Sequence, residues 1–459
     1  MNDSICALAT GQGGAIAVIR VSGDEAITIT SRIFSKSLAD AKAQSLHYGE
    51  IREDEGIVVD DVLVSVFRAP HSYTGENSTE ISCHASPYVI SRILQLLIDH
   101  GCRQAEPGEY TQRAFMNGKM DLSQAEAVAD LIASRTAASH HVAISQMRGG
   151  FSQKLRQLRE RLLKLTSLME LELDFSDHEE LEFADRTELR QLTDETHQEL
   201  HRLVESFSLG NAIKNGIPVA IIGNTNTGKS TLLNALLHEE RAIVSDVKGT
   251  TRDSIEDTVN LNGTTLRFID TAGMRDTDDE VEQIGIQRSY AKLDQAHIVL
   301  WVVDAAHVNA DIASLGEQIL PRCTDKHLIL VINKIDKTPA VSSYTLPATD
   351  IHLASFHTIE ISAKTGQGME ELRALLTESV RINDVTDNDV VVTNQRHYAA
   401  LREAQSAIER VQQGMHEGLP TDLLSEDLHD CLDSLASILG EVSSQEVLHN
   451  IFSHFCIGK

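Results

Sequence analysis

The chain has 459 residues and a formal net charge of −28, from 40 basic and 68 acidic side chains. That length predicts about three domains and allows sizeable cores without disulfides or metals. An acidic chain of this size is not a general phosphate-binding surface, and aromatic residues at 4% do not suit a stacking platform for single-stranded nucleic acid. Any contact with nucleic acid therefore requires a local basic patch or a partner.

The cysteine usage and the apolar runs bear on the compartment. No two of the six cysteines have the spacing of a metal-binding knuckle, which disfavours structural zinc and fits a reducing compartment. The N-terminus lacks a basic stretch followed by an apolar core, so no signal peptide is expected. The densest apolar run, Ile298–Val303, is too short to span a membrane. We therefore expect a cytoplasmic protein without a membrane segment.

The first part of the chain, residues 1–118, alternates short apolar runs with glycine and charge. Strands are predicted over Ala15–Val21 and Val62–Phe67, and a helix over Pro87–His100. These elements predict a small α+β domain.

Residues 119–210 are predicted to be helical. Asp121 supplies a cap-like start to an alanine-rich helix, and leucines from Leu155 to Leu165 recur at helical spacing. Gly210–Gly216 is interpreted as a small polar hinge.

Strands and helices alternate over 216–380, which is typical of a parallel α/β domain, and residues 381–459 are again helical. We predict an α/β plus α fold, in which one helical domain (119–210 and 381–459) receives the α/β domain as an insertion. Two separate small helical bundles are the alternative.

The α/β part opens on a nucleotide-binding signature. The apolar strand Pro218–Ile222 runs into Gly223–Ser230, which is a full G-x-x-x-x-G-K-S phosphate loop, and the helix Thr231–Leu237 follows. Glycines let successive N–H groups turn toward phosphates, and the helix N-terminus adds a favourable partial charge. Lys229 is expected to bridge the β- and γ-phosphates, and Ser230 to hold Mg²⁺.

Four further motifs follow in the order of a Ras-like GTPase. They are Gly249–Asp253, Asp270–Gly273, Asn333–Asp336 and Ser362–Lys364. Thr251 can reach Mg²⁺ when its loop closes, and Asp336 can accept two hydrogen bonds from guanine that adenine does not offer. These motifs predict GTP hydrolysis. The expected GTP contacts are Asn226, Thr227, Gly228, Lys229, Ser230, Thr231, Gly249, Thr250, Thr251, Asp270, Thr271, Ala272, Gly273, Asn333, Lys334, Asp336, Ser362, Ala363 and Lys364.

The residue that orients the attacking water is not fixed by these motifs. The position after Asp270–Gly273 is Met274, which cannot hydrogen-bond a water molecule. Any carboxylate of the following acidic run could take that role. The cation that stabilises the transition state is also unassigned. Arg252 or Arg275 could supply it in cis, or a monovalent ion could bind at Asn226. The acidic run consists of Asp276, Asp278, Asp279, Glu280 and Glu282.

Motifs outside the α/β domain carry a closer resemblance. The chain resembles, over essentially its whole length, the tRNA uridine-5-carboxymethylaminomethyl modification GTPases (MnmE or TrmE type). The matching segments are Gly13–Gly14, Arg20–Gly23, Ser72–Glu76, Pro107–Thr111, Ala114–Leu122, Gln124–Ala127 and the terminal Phe455–Lys459.

For the GTPase domain, the resemblance implies domains that pair face to face across K⁺. The loop Ser245–Thr250, including Asp246, Val247 and Lys248, then joins the GTP contacts, and Glu282 becomes the catalytic glutamate. Lys229, Thr251 and Arg252 complete the implied catalytic set. Ser230 and Thr251 are the implied Mg²⁺ ligands. The implied K⁺ ligands are Asn226, Ser245, Val247 and Thr250.

For the rest of the chain, the resemblance implies an N-terminal domain that binds 5,10-methylenetetrahydrofolate (or 5-formyltetrahydrofolate as an analogue) and forms a homodimer. An FAD-dependent partner and tRNA complete the implied reaction, which adds an aminomethyl or carboxymethylaminomethyl group to C5 of the wobble uridine. Cys456 lies in the terminal motif as a residue of open role. The implied folate contacts are Arg20, Glu80, Lys119 and Lys459.

Two departures and two alternatives accompany this interpretation. His84–Ser86 stands where the family usually has His-Gly-Gly, and Thr225 and Thr227 replace the usual Pro and Ala. A ribosome-assembly GTPase and a scaffold GTPase are the alternative functions, although the acidic C-terminal helices do not suit RNA binding. The basic stretch Arg148–Lys164 is a candidate tRNA or partner surface, or simply a solvated helix face.

Overall fold

The computed structural model describes residues 3–11, 13–53, 56–174, 186–238, 257–261, 264–269, 293–338, 344, 352–379, 390–442, 444–453, 455 and 457–458. They divide into two compact units. The first comprises Met1–Ala133, Ala143–Leu200 and Ala399–Lys459, and the second Ser134–Val142 and His201–Tyr398. None of the helices in the described ranges is long and apolar enough to cross a lipid bilayer.

The first unit contains a six-stranded sheet in the order β3-β4-β5-β2-β1-β6, in which only the β1–β6 pair is parallel. Alternate residues such as Ile19 and Ile81 are fully buried on one face, beneath two helices, because successive strand side chains point to opposite faces. This confirms the predicted α+β part. The strands are β1 Ser4–Leu8, β2 Ile16–Ser22, β3 Ser45–Arg52, β4 Val58–Phe67, β5 Ser78–His84 and β6 Cys102–Gln104, and the helices are α1 Ala26–Ile33, α2 Pro87–Asp99 and α3 Glu109–Met116.

The remaining elements of the first unit are helical. Asp121 caps its helix because its Oδ1 accepts the Gln124 backbone N–H at 3.0 Å, and Gln124 Oε1 accepts the Asp121 N–H in return. The predicted leucine stripe from Leu155 to Leu165 is buried on α6, against α12. The helices from this point onward in the chain are α4 Leu122–Ala133, α5 Ala137–Met147, α6 Gly150–Asp174, α7 Arg186–Asn215, α8 Lys229–His238, α9 Val308–Ile319, α10 Met369–Glu378, α11 Gln395–Glu417, α12 Thr421–Leu439 and α13 Gln445–Ser453.

The second unit contains the predicted parallel sheet, in the order β12-β11-β10-β7-β9-β8, with only β8 antiparallel to its neighbour. Both faces are covered, so β10 is buried along Ile298–Val303 without alternation. Its strands are β7 Ile217–Ile222, β8 Asp257–Leu261, β9 Thr264–Phe268, β10 Ile298–Asp304, β11 His327–Asn333 and β12 Ser355–Glu360.

The predicted hinge at 210–216 is wrong. Helix α7 continues through Gly210 to Asn215. A Cβ atom at Gly210 would lie 2.1 Å from the carbonyl oxygen of Val392. The glycine therefore serves a close approach of two backbones rather than a break in the helix.

The basic stretch Arg148–Lys164 is partly neutralised by acidic neighbours. Three of its cations form ion pairs with carboxylates from other parts of the first unit. The stretch therefore presents less positive charge than its sequence alone indicates, which favours the interpretation as an ordinary solvated helix face. The pairs are Lys154 with Glu199 at 2.7 Å, Arg156 with Asp121 at 2.8 Å, and Arg159 with Glu441.

Candidate functional site

The phosphate loop connects β7 to α8 and has a tightly determined backbone. Gly223 and Gly228 adopt φ values of +151° and +97°, which favour glycine. A Cβ atom at Gly223 would lie 2.1 Å from the Val302 carbonyl oxygen, so the loop is pressed against β10. Helix α8 begins at Lys229 and directs its first N–H groups toward the loop, as phosphate binding requires.

Lys229 is held inside this loop by backbone carbonyls. Its Nζ donates to the oxygen of Gly223 at 2.9 Å and to that of Asn224 at 2.7 Å. Burial lowers the pKa of the Lys229 ammonium, and the charge of Asp311 partly offsets that effect. A half-buried ammonium surrounded by carbonyl oxygens suits a polyanionic ligand such as a nucleoside triphosphate.

Asn333 connects the phosphate loop to the loops expected to recognise the base. Its side chain is 3% exposed. The Nδ2 atom donates to the Thr227 oxygen at 2.9 Å, and Oδ1 accepts the Ala363 N–H at 3.0 Å. One buried amide thus fixes both halves of the site.

Asp336 lies exposed beyond β11, where a base can reach it. Ser362 Oγ donates to its Oδ1 at 2.7 Å and orients the carboxylate. Lys364 is exposed next to the buried Ala363. This donor and acceptor set fits guanine, whose N1 and N2 groups both donate.

Lys334 ties the base-recognition motif back to the phosphate loop. Its Nζ donates to the Asp304 carboxylate at 2.8 Å and also to the carbonyl oxygen of Asn226. Burial would raise the pKa of Asp304, but the hydrogen bond from Lys334 lowers it below its ordinary value. Sequence reasoning missed Asp304, although a carboxylate at the carboxyl end of a fully buried strand was a signal for it.

The structure thus brings together Asn226, Thr227, Gly228, Lys229, Ser230 and Thr231 with Asn333, Lys334, Asp336, Ser362, Ala363 and Lys364. In the described ranges, no group of three or more His, Cys, Asp and Glu side chains is arranged to hold a metal. The other residues predicted for GTP, metal binding and hydrolysis, together with two residues of the C-terminal motif, lie outside the described ranges: Ser245, Asp246, Val247, Lys248, Gly249, Thr250, Thr251, Arg252, Asp270, Thr271, Ala272, Gly273, Glu282, Cys456 and Lys459.

A second polar site lies on the sheet of the first unit. Arg20 on β2 and Glu80 on β5 are cross-strand partners, joined at 2.9 and 3.0 Å. The guanidinium carbon lies 5.3 Å from the ring centroid of Tyr73 and 5.7 Å from that of Tyr110. Burial raises the pKa of both phenols, so they remain neutral. Sequence reasoning missed these two tyrosines.

Lys119 contacts the segment 70–75, which also contributes Tyr73, and the C-terminal segment contacts β1, which pairs with β2. Lys119 Nζ donates to the Pro70 oxygen at 2.9 Å, and a Cβ atom at Gly75 would lie 3.4 Å from the Lys119 side chain. A Cβ atom at Gly458 would lie 2.2 Å from the carbonyl oxygen of Leu8, which pairs with Ile19, the neighbour of Arg20.

Comparisons with known proteins agree with this geometry. Residues 4–119 match the family model for the GTP-binding protein TrmE N-terminus, and residues 122–456 match that for the MnmE helical domain. The chain is 57% identical to the tRNA modification GTPase MnmE of Bacteroides thetaiotaomicron, over 100% of this chain and 99% of that protein. It is 49% identical to the protein of that name from Porphyromonas gingivalis, over 100% and 98% of the two chains.

Among solved structures, a variant of Aquifex aeolicus Era bound to GDP.AlF4- is 26% identical, covering 41% of this chain and 66% of that chain at a TM-score of 0.26. The family is established by the two family models and by the relatives that match over their full length. The chain belongs to the MnmE family of tRNA modification GTPases.

Proposed function

We propose that this GTPase, with an FAD-dependent partner, adds an aminomethyl or carboxymethylaminomethyl group to C5 of the wobble uridine of certain tRNAs. The observation that carries this proposal is the Arg20–Glu80 pair, a polar site on a sheet outside the GTPase domain. GTP hydrolysis alone does not need such a site. The residues around it suit a folate that supplies a one-carbon unit.

The chemistry of the Arg20–Glu80 site fits a tetrahydrofolate. Arg20 and Lys119 offer cations for glutamyl carboxylates, and Glu80 accepts from ring N–H donors. Tyr73 and Tyr110 provide flat apolar walls beside the guanidinium. Lys459 is the fourth proposed contact, and the packing of Gly458 on the end of β1 supports a role for the terminal segment.

For hydrolysis, we propose that Ser230 and Thr251 hold Mg²⁺, while Asn226, Ser245, Val247 and Thr250 hold K⁺. A bound K⁺ supplies positive charge where charge develops between the β- and γ-phosphates. Glu282 orients the attacking water, since Met274 cannot. The left-handed φ of +62° at Asn226, secured by Lys334, supports a dedicated role for this loop position.

We propose a cytoplasmic homodimer. The proposed substrate is tRNA, which the name of the relatives implies. Large apolar side chains on the outer strands of the first sheet support self-association: Leu46 is 61% exposed, Tyr48 is 62% exposed and Leu63 is 40% exposed. Pairing of the GTPase domains across K⁺ would then activate hydrolysis.

The potassium mechanism is tested by steady-state GTP hydrolysis in KCl and in NaCl at equal ionic strength. We expect KCl to raise turnover by about tenfold or more, because the cation stands in for an arginine finger. Glu282→Ala should abolish hydrolysis while GTP binding persists. Asp278→Ala, in the same acidic run, is the matched control and should retain activity. Equal rates in the two salts would refute the potassium role.

A further inference from the structure

Asp311 links the phosphate loop to the carboxyl end of β10. It lies in the first turn of α9 and is 8% exposed. Its Oδ1 atom accepts from Asn224 Nδ2 at 2.6 Å, and its Oδ2 atom accepts the backbone N–H of Asp304 at 2.9 Å. The two carboxylate oxygens therefore accept from donors in two different places, the phosphate loop and the end of β10.

The hydrogen bonds continue from Asp304 back to the phosphate loop. The carboxylate of Asp304 accepts from Lys334 Nζ at 2.8 Å, and the same Nζ donates to the carbonyl oxygen of Asn226. The series thus starts at Asn224 and returns to the same loop at Asn226. This series holds the loop at Asn224, which also donates to Ser314 on α9 at 2.9 Å, and at Asn226. Asn333 holds the loop separately at Thr227.

These hydrogen bonds stabilise the conformation of the phosphate loop at Asn224 and Asn226. Asn226 adopts a left-handed φ of +62°, and Asn224 supplies a carbonyl oxygen to Lys229 at 2.7 Å. Asparagine tolerates this conformation better than other non-glycine residues, and the hydrogen bond from Lys334 to its carbonyl oxygen stabilises it further. A loop fixed before the ligand arrives also costs less ordering entropy on binding.

We propose that Asp311 is a positioning residue of the GTP site, which sets nucleotide affinity by holding the phosphate loop through Asn224 and Asp304. It acts through these two residues rather than directly on the nucleotide. The proposal depends on the GTP site and not on the folate or tRNA chemistry. Neither oxygen can be replaced by an amide nitrogen, because both partners are donors.

A purely structural role for Asp311 makes a different prediction. An acidic side chain in the first turn also stabilises α9 through the helix dipole. That role would change the free energy of unfolding without coupling to Asn224. Nucleotide affinity and its coupling to Asn224 therefore separate the two roles.

The experiment is a double-mutant cycle on the full chain, with Asp311→Ala, Asn224→Ala and the double variant. The dissociation constant of a fluorescent GDP is measured, together with kcat at saturating GTP. We expect Asp311→Ala to raise the dissociation constant by about tenfold or more, while kcat changes by less than about threefold. The double variant should bind no more than about threefold more weakly than Asp311→Ala.

Two further variants complement the double-mutant cycle. Asp311→Asn keeps the shape but must lose one of the two hydrogen bonds, so its affinity should fall between those of the wild type and Asp311→Ala. Glu317→Ala removes an exposed carboxylate from the same helix and should leave binding unchanged. If Asp311→Ala does not fold, Asp311→Asn with Asn224→Ala runs the same cycle. Unchanged affinity in the Asp311 variants, or fold-changes that multiply in the double variant, would overturn the proposal.

Discussion

Asn333 is the residue through which the two halves of the nucleotide site are joined. Its amide donates to the phosphate loop at Thr227 and accepts from Ala363 beside the base-recognition loop. Because both bonds are buried, losing one would leave a polar group unsatisfied, which costs about 1–3 kcal/mol. Asn333 therefore couples the phosphate loop to the loop that contains Ala363.

Base specificity is predicted to depend on the carboxylate of Asp336. Asp336→Asn replaces one acceptor oxygen by a donor, so the side chain faces the donors of guanine with a donor of its own. We expect GTP affinity to fall by about 100-fold and xanthosine triphosphate, which has a carbonyl at C2, to bind better than GTP. Competition titration with both nucleotides measures this.

The control for this prediction is Asp325→Asn, an exposed carboxylate of the same unit that pairs with His352. It should leave both affinities unchanged. GTP affinity retained in Asp336→Asn would mean that another group recognises the base.

Sequence motifs predicted the phosphate loop and the base-recognition residues because each has a local pattern with a chemical reason. They did not predict Asp311 or Tyr73, since each acts through contacts between residues far apart in the chain, 87 positions for Asp311 with Asn224. The Arg20–Glu80 pair came only from the family resemblance, because isolated charged residues on strands are usually solvated.

At the scale of elements, the parallel sheet was predictable because its strands β7, β10 and β11 are continuous apolar runs. The continuation of helix α7 past Gly210 was not predictable, since the glycine suggested a break in the helix. The approach of Val392, which explains the glycine, is a contact between residues far apart in the chain. The local sequence predicted that this part of the chain is helical, whereas the glycine at position 210 is explained only by its packing against Val392.

Two histidines at the amino ends of β10 and β11 predict an acid-sensitive GTPase domain. Burial lowers the pKa of His327, with smaller contributions from His297 and His357. Burial and Lys326 lower that of His297 as well. Between these lowered values and about 6.5 the unfolded chain binds more protons than the folded one, so stability rises with pH and is lost as pH falls below about 6.5.

His327→Asn should therefore reduce the loss of stability between about pH 7.5 and 5.5. Asparagine preserves a partner for Ser355, whose hydroxyl lies 2.8 Å from His327 Nδ1. Denaturant unfolding at both pH values measures the difference, with His352→Asn, at an exposed site, as the control. An unchanged pH slope in His327→Asn would assign the acid sensitivity elsewhere.

The C-terminal segment offers a test of the folate proposal. Gly458→Ala places a Cβ atom 2.2 Å from the Leu8 oxygen at a φ of +91°, so the segment must move away from β1. We expect tetrahydrofolate binding to weaken by about tenfold, measured by calorimetric titration.

Gly418→Ala is the matched control, because Gly418 has a similar φ of +72° with nothing within 4 Å. It shares the backbone strain but not the clash. Folate binding unaffected by Gly458→Ala would exclude the terminal segment from the site.

At the scale of the whole molecule, the charge distribution constrains how tRNA is engaged. The chain carries a net charge of −28, and Lys154, Arg156 and Arg159 on α6 are paired with acidic residues. Electrostatic attraction by this chain alone is therefore weak. We expect tRNA binding to require the proposed FAD-dependent partner, as a filter-binding or gel-shift measurement with and without that partner would reveal.

The central claim is that GTP hydrolysis by this chain drives modification of the wobble uridine. Its most direct test is a mass-spectrometric nucleoside profile of tRNA from cells that lack the chain. We predict loss of 5-carboxymethylaminomethyl-type uridines, restored by the intact gene but not by a Glu282→Ala version. An unchanged profile in the deletion strain would contradict the proposed function.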